Sequence, residues 1–112
     1  MLDQRLPFQK MDCYVVAKEL AKVVCEAKIN DSELRDQATR AAKSTFLRLC
    51  EGLPNDGQAM RKKYFVESKN SLHEVVGAMD LAAAIGAVRS ERAAEVQDLA
   101  GKLRAMLVAL IR

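Results

Sequence analysis

The chain has 112 residues, a formal net charge of +3 and an apolar content of 50%, with only two Pro, five Gly and no Trp. This length predicts a single domain over residues 1–112, and an apolar content dominated by Ala, Leu and Val favours an all-α fold. The small positive charge permits contact with nucleic acid without requiring it. No apolar run approaches the ~20 residues of a membrane span, and the first residues lack the apolar run of a signal peptide, so we expect a cytoplasmic protein.

Apolar residues recur at three- and four-residue spacing in four segments, which predicts four helices. The predicted helices occupy residues 9–28, 32–51, 56–85 and 90–111. Asn30, Asp31 and Ser32 supply cap-type side chains before the second helix, and Gly52 is expected to stop that helix. Gly86 is expected to end the third helix, and Ser90 to cap the fourth. Because the connections are short, neighbouring helices should run antiparallel, which predicts an up-down four-helix bundle.

Each predicted helix carries a stripe of apolar residues that should face the core. The first stripe is Cys13, Val16, Ala17, Leu20, Val24 and Ala27, and the second is Leu34, Ala38, Ala41, Ala42, Phe46 and Leu49. The third is Phe65, Leu72, Val75, Val76, Met79, Ala82 and Ala83, and the fourth is Ala93, Val96, Leu99, Ala100, Leu103, Met106, Leu107 and Leu110.

The second and third helices also carry organised residues away from their core stripes. On the second helix these are Gln37, Arg40, Ser44, Leu47, Arg48 and Glu51, and on the third they include Asn70, Gly77 and Leu81. One interpretation is a solvated face with local ion pairs such as Arg48 with Glu51. The other is a subunit interface, because a solvent-exposed face gives no reason for an apolar Leu47 or for Gly77, which destabilises a helix. Both interpretations stay open at this point.

Residues that could support catalysis or metal binding are few. His73 is the single histidine and is followed directly by Glu74, which is the wrong spacing for a di-iron site. Ser71 and His73 are two residues apart and project to different sides of a helix, so they do not form a nucleophile and base. The three cysteines are expected to be buried or half-buried thiols, without disulfides. We expect no catalytic residue, no metal, no cofactor and no small-molecule substrate.

The clearest partner-binding candidate is a basic run at the start of the third helix. Arg61, Lys62 and Lys63 are consecutive, and Lys69 follows two turns later. Phosphate groups would gain from these charges, and repetition around an oligomer would multiply the effect. The alternative is a solvated basic turn.

The stretches PFQKMDCYVVAKEL, DQATRAAKSTFLRLCEG and NSLHE, with Phe65 between the last two, resemble the 23S rRNA-intervening sequence protein family. The resemblance extends to the accessory variability determinant proteins of diversity-generating retroelements. The matched residues are Gln37, Arg40, Ala41, Ser44, Glu51, Gly52, Ser71, Leu72 and Glu74. The chain departs from the family pattern at Phe46, where the family has Pro, at Arg48, where it has Asn, and at Asn70, where it has Gly.

The resemblance implies a homo-oligomer, and specifically a pentamer of four-helix bundles. It also implies that Gln37, Arg40, Ser44, Glu51 and Glu74 are mainly architectural. The retroelement relatives imply binding to nucleic acid or to a nucleic-acid-handling protein such as a reverse transcriptase. We therefore expect a non-enzymatic oligomeric scaffold or accessory protein. The alternative is a structural protein–protein adaptor with no nucleic-acid role.

Overall fold

The computed structural model describes residues 4–112, and within that range it contains α-helices, one 3-10 helix and no strand. The helices are α1 (Asp12–Glu26), α2 (Ser32–Gly52), α3 (Gln58–Ala84) and α4 (Ser90–Ile111). The all-α prediction is confirmed, and the four helices begin and end within three residues of the predicted bounds. At 1.5 Å per residue α3 is roughly 40 Å long, so it spans nearly the whole 43 Å of the longest dimension.

The start of α1 differs from the prediction because the lead-in forms a separate short element. Residues Pro7–Lys10 make a 3-10 turn, in which the Gln9 side chain accepts a hydrogen bond from the Leu6 amide at 2.8 Å. Met11 is extended, so the α-helix begins only at Asp12. At its other end, Lys28 takes the left-handed conformation, with φ at 56°, which reverses the chain without a glycine.

The two ends of α2 behave differently from each other. Of the three cap-type residues before the helix, Asp31 caps the first turn, because its carboxylate accepts a hydrogen bond from the Leu34 amide at 2.9 Å. The helix ends at Gly52, as predicted, but not through a left-handed glycine conformation. Gly52 stays helical, and the following Leu53 amide still bonds the Leu49 carbonyl at 2.9 Å. The glycine serves packing instead, because an added Cβ would lie 2.7 Å from the Phe65 ring.

The turn from α3 to α4 closes on the predicted glycine. Gly86 has φ at 73°, and its amide bonds the Ala83 carbonyl while the Ala87 amide bonds the Ala82 carbonyl. This pair of bonds is a Schellman motif. The prediction that Ser90 caps α4 is wrong: Arg89 holds the cap position, Ser90 is the first helical residue, and no side chain caps the helix.

The core lies between the four helices and contains most of the predicted residues. Nine of the predicted residues are only half-buried and pack against its edge: Val16, Leu34, Phe46, Val76, Ala83, Ala93, Leu99, Met106 and Leu110. Two polar residues in the core were not predicted: the Ser68 hydroxyl donates to the Thr45 carbonyl at 2.7 Å, and the Thr45 hydroxyl donates to the Ala41 carbonyl at 2.8 Å. Since both hydroxyls are bonded, their burial leaves no polar atom unsatisfied.

Side-chain contacts bring particular helix ends together. The Arg61 guanidinium near the start of α3 reaches carbonyls at the end of α2. Met11 and Leu110 line one cleft, which places the start of α1 beside the end of α4. Arg61 and Leu110 also share a cleft, so all four of these helix ends lie at one end of the molecule, which we call the α2–α3 end. At the opposite end, the Asn30 amide bonds the Ala87 carbonyl at 2.6 Å, which joins the α1–α2 turn to the α3–α4 turn.

Candidate functional site

The predicted basic run divides into residues with different surroundings. The Arg61 guanidinium donates to the Gly52 carbonyl at 3.2 Å and also to the Leu53 carbonyl, and it stacks 5.1 Å from the centre of the Phe65 ring. It therefore satisfies carbonyls that the end of α2 leaves without helical partners. A cation at this position also interacts favourably with the partial negative charge at the C-terminal end of α2. Arg61 is half-buried and engaged in holding the loop.

The lysines of the run face outward. Lys62 and Lys63 are exposed and form no ion pair with any side chain of residues 4–112. Lys69 is half-buried and lies seven residues after Lys62, hence on the same side of α3. Lys62 lines a cleft of about 340 Å³ together with Arg61 and Arg112, so the end of α4 adds a basic side chain that sequence spacing could not place there.

The polar stripe on α2 is partly satisfied within the chain. Arg48 donates to Glu51 at 2.9 Å and lies 3.6 Å from Glu67 on α3, so one guanidinium links two helices. The hydrogen bond that Arg48 donates to the Glu51 carboxylate is the main cause that raises the pKa of Arg48 above its usual value. Gln37 and Arg40 are exposed. The predicted Arg48–Glu51 pair is thus present, with Glu67 as an unpredicted third member.

A second polar contact joins α2 to α3. The hydroxyls of Ser44 and Ser71 are 2.9 Å apart and half-buried, and both residues belong to the stretches that carry the family resemblance. Short hydroxyl side chains let the two backbones approach while still satisfying each other. Ser71 is thereby paired with Ser44, and His73 contacts Arg104 on α4 instead, whose Nε donates to the His73 Nε2 at 3.3 Å.

The outer surfaces of α2 and α3 expose large apolar side chains. Leu47 on α2 is 55% exposed and Leu81 on α3 is 52% exposed. Asn70 and Glu74 are exposed on α3, and a Cβ added to Gly77 would meet no atom within 4 Å. Packing within the chain therefore gives no reason for a glycine at this position.

A groove between α3 and α4 was not predicted. It encloses about 350 Å³ and its lining includes Leu72, His73, Gly77, Gly101 and Arg104. Gly101, like Gly77, has open space where a Cβ would be. The sequence signal that could have revealed the groove is the presence of one glycine inside each of two long helices, since glycine costs helix stability.

The cysteines differ in exposure. Cys13 is buried and Cys50 half-buried, and burial raises the pKa of both thiols above the usual value. The expectation that all three would be buried or half-buried is wrong for Cys25, which is exposed on the outer side of α1. Raised thiol pKa values keep Cys13 and Cys50 protonated and weakly nucleophilic at neutral pH.

Two further classes of site have no candidate within residues 4–112. No three His, Cys, Asp or Glu side chains in that range gather into a group that could hold a metal ion. None of the helices there combines the length and apolar content needed to cross a bilayer.

These features define a small all-α protein in which α2 and α3 are joined by a buried hydroxyl contact, a serine pair and an arginine bridge. The family model described as 23S rRNA-intervening sequence protein matches residues 9–109. The chain belongs to this family, as the resemblance of its motifs indicated. No curated protein matches the chain.

Proposed function

We propose that this protein is a non-catalytic helical scaffold, built as an antiparallel up-down bundle that assembles with copies of itself. The order of contacts between α2 and α3 supports the antiparallel arrangement. Ser44 contacts Ser71, Arg48 contacts Glu67, and Gly52 packs against Phe65. The residue numbers on α3 therefore decrease as those of their partners on α2 increase. The resemblance to the family implies a pentamer as the assembled form.

The observation that carries self-assembly is the apolar surface left uncovered by the single chain. Leu47 and Leu81 are each more than half exposed, on the outer sides of α2 and α3. Val15 on α1 and Ile85 at the end of α3 are exposed to a similar degree, at 54% and 56%. Full burial of one such side chain contributes roughly 1.5–3 kcal/mol, so contact with a second copy over these faces would be favourable.

Light scattering of the purified protein tests self-assembly directly. We expect a particle of five times the 12.4 kDa protomer mass. The double variant Leu47→Ser, Leu81→Ser should shift the population to smaller particles, because it removes apolar contact from both faces. Met60→Ser is the matched control, since Met60 is an exposed apolar residue in the first turn of α3. A wild-type particle of one protomer mass contradicts the proposal.

The partner of the scaffold is, in our proposal, nucleic acid or a nucleic-acid-handling protein such as a reverse transcriptase. The exposed Lys62 and Lys63 support this choice, with Lys69 on the same side of the helix as Lys62. The alternative is an adaptor that contacts only proteins, which the apolar faces alone would serve. Binding to nucleic acid at ~50 and ~200 mM salt separates the two, because phosphate contacts weaken steeply over that range. Absence of binding at the lower salt favours the adaptor.

A further inference from the structure

Charge is distributed unevenly between the two ends of the molecule. If each helix is divided near its midpoint, one half of the molecule contains the α2–α3 end, and it consists of residues 4–18, 43–70 and 101–112. That half carries twelve basic and four acidic side chains, whereas residues 19–42 and 71–100 carry six basic and ten acidic ones. A chain with a formal net charge of only +3 thus has one strongly positive half and one negative half.

The acidic side chains of the positive half do little to cancel its field. Glu51 and Glu67 are both held by Arg48, so these three residues form a local cluster with one negative charge in excess. Only Asp12 and Asp56 remain as further acidic groups in that half. A field of one sign over a surface of this size attracts polyanions and orients them before contact.

The basic side chains of the α2–α3 end surround the last turn of α4. Lys62 and Arg112 line a cleft with Leu110 on one side of that turn. Lys10 lines another cleft with Leu110 on the other side. Cations from α3, from α4 and from the lead-in to α1 therefore lie around one helix end, although they are far apart in the sequence. Lys63 adds a further exposed cation directly after Lys62 on α3.

The aromatic residues decide which kind of nucleic acid suits this surface. None of the five aromatics of the chain is exposed. Phe8, Tyr14 and Phe46 form a cluster with ring centres 5.7 and 5.2 Å apart, Phe65 is buried against Gly52, and Tyr64 is half-buried with its Cβ beside Gly52. Proteins that bind single strands without sequence preference stack bases on aromatic side chains. Within residues 4–112 no exposed aromatic provides such a platform.

We propose that the α2–α3 end binds double-stranded nucleic acid through its phosphate backbone, with Lys62 and Lys63 as principal contacts. This inference rests on the proposed nucleic-acid partner and specifies the surface and the strand form. The negative half faces away and fixes the orientation of the protein on the duplex. Arg61 is not a contact here, because its guanidinium is held by backbone carbonyls.

The test compares two variants that lose the same charge from opposite ends. Lys62→Gln with Lys63→Gln removes two cations from the α2–α3 end, and Lys22→Gln with Arg89→Gln removes two exposed cations from the other half. The probes are DNA and RNA duplexes of about 20 base pairs and single strands of the same length and mixed sequence, at salt from ~50 to ~200 mM. Poly-glutamate serves as a competing polyanion, and light scattering is recorded for every variant.

The expected result is tighter binding of duplexes than of single strands by the wild type. The Lys62→Gln, Lys63→Gln variant should bind duplex about tenfold or more weakly at the lower salt, with a salt slope smaller by roughly two, because each phosphate contact contributes about 0.9. The variant at the opposite end should stay within about twofold of the wild type, since it removes no contact. The DNA and RNA arms show which duplex is preferred.

Several outcomes overturn the inference while leaving a nucleic-acid partner in place. These are equal weakening by both variants, and single strands bound as tightly as duplexes. Competition by poly-glutamate as strong as that by duplex would assign the surface to an acidic protein instead. If the wild type binds no nucleic acid at ~50 mM salt, the nucleic-acid branch of the proposed function fails as well. Self-assembly is judged separately by light scattering.

Discussion

Replacing Gly52 with Ala probes the tightest contact between α2 and α3. An added Cβ would lie 2.7 and 2.9 Å from two carbons of the Phe65 ring and 3.2 Å from the Tyr64 Cβ. The ring cannot easily retreat, because Phe65 is fully buried and the Arg61 guanidinium stacks 5.1 Å from its centre. Overpacking of this kind costs about 1–3 kcal/mol, and the higher helix propensity of Ala returns up to about 1 kcal/mol.

We therefore expect Gly52→Ala to lower the free energy of unfolding by about 1–2 kcal/mol, which corresponds to a Tm lower by several degrees. Denaturant and thermal unfolding measure the change, with wild type and variant at the same protein concentration because assembly adds to apparent stability. Gly101→Ala is the matched control. It also places a methyl group inside a helix but meets no atom within 4 Å, so it should gain about 0.5–1 kcal/mol.

A second comparison isolates the contact itself. In a Phe65→Leu background the smaller side chain leaves room for the new methyl group, so Gly52→Ala should cost less there than in the wild type. An equal cost in both backgrounds, or a Gly52→Ala protein as stable as the wild type, would refute the steric explanation of this glycine.

Three further experiments have clear expected outcomes. Arg61→Lys should lower the free energy of unfolding by about 1–2 kcal/mol, because lysine has no planar guanidinium that stacks on the Phe65 ring while its Nη1 bonds two carbonyls. Lys62→Gln should stay within about 0.5 kcal/mol of the wild type in the same denaturant assay. Lys28→Gly should raise the free energy of unfolding by about 0.5–1 kcal/mol, because glycine adopts the left-handed conformation without steric cost; unchanged stability would contradict this. A thiol reagent should label Cys25 first. The labelling rate of Cys13 should increase only as the pH rises, because its raised pKa keeps the thiol protonated at neutral pH. Labelling of Cys13 as fast as that of Cys25 at neutral pH would contradict its burial.

The helices could be predicted from the sequence because their signals are local. Apolar spacing placed all four, the cap-type residues at positions 30–32 marked the start of α2, and Gly86 marked the end of α3. The start of α1 was missed because Pro7 and Gln9 stabilise a 3-10 turn that the apolar spacing does not distinguish from a helix. Local patterns therefore fixed the type of each element more reliably than its first residue.

Contacts between helices could not be predicted in the same way. The glycine at position 52 is required by the packing of Phe65, and Arg61 lies in the basic run while its guanidinium bonds the end of α2. Ser68 looked like an ordinary polar residue, yet it is buried because the Thr45 carbonyl is within reach. Each depends on which residues of another helix lie opposite, and that is information that spacing along one helix does not contain.

The aromatic cluster has a practical consequence for following how the protein unfolds. Without Trp, ultraviolet emission comes mainly from Tyr14 and Tyr64, and both lie towards the α2–α3 end. Tyrosine emission therefore reports only on that part of the molecule, whereas far-ultraviolet circular dichroism reports on every helix. If the Asn30–Ala87 bond holds the other extremity together after the tyrosines are released, the two signals will separate during denaturation.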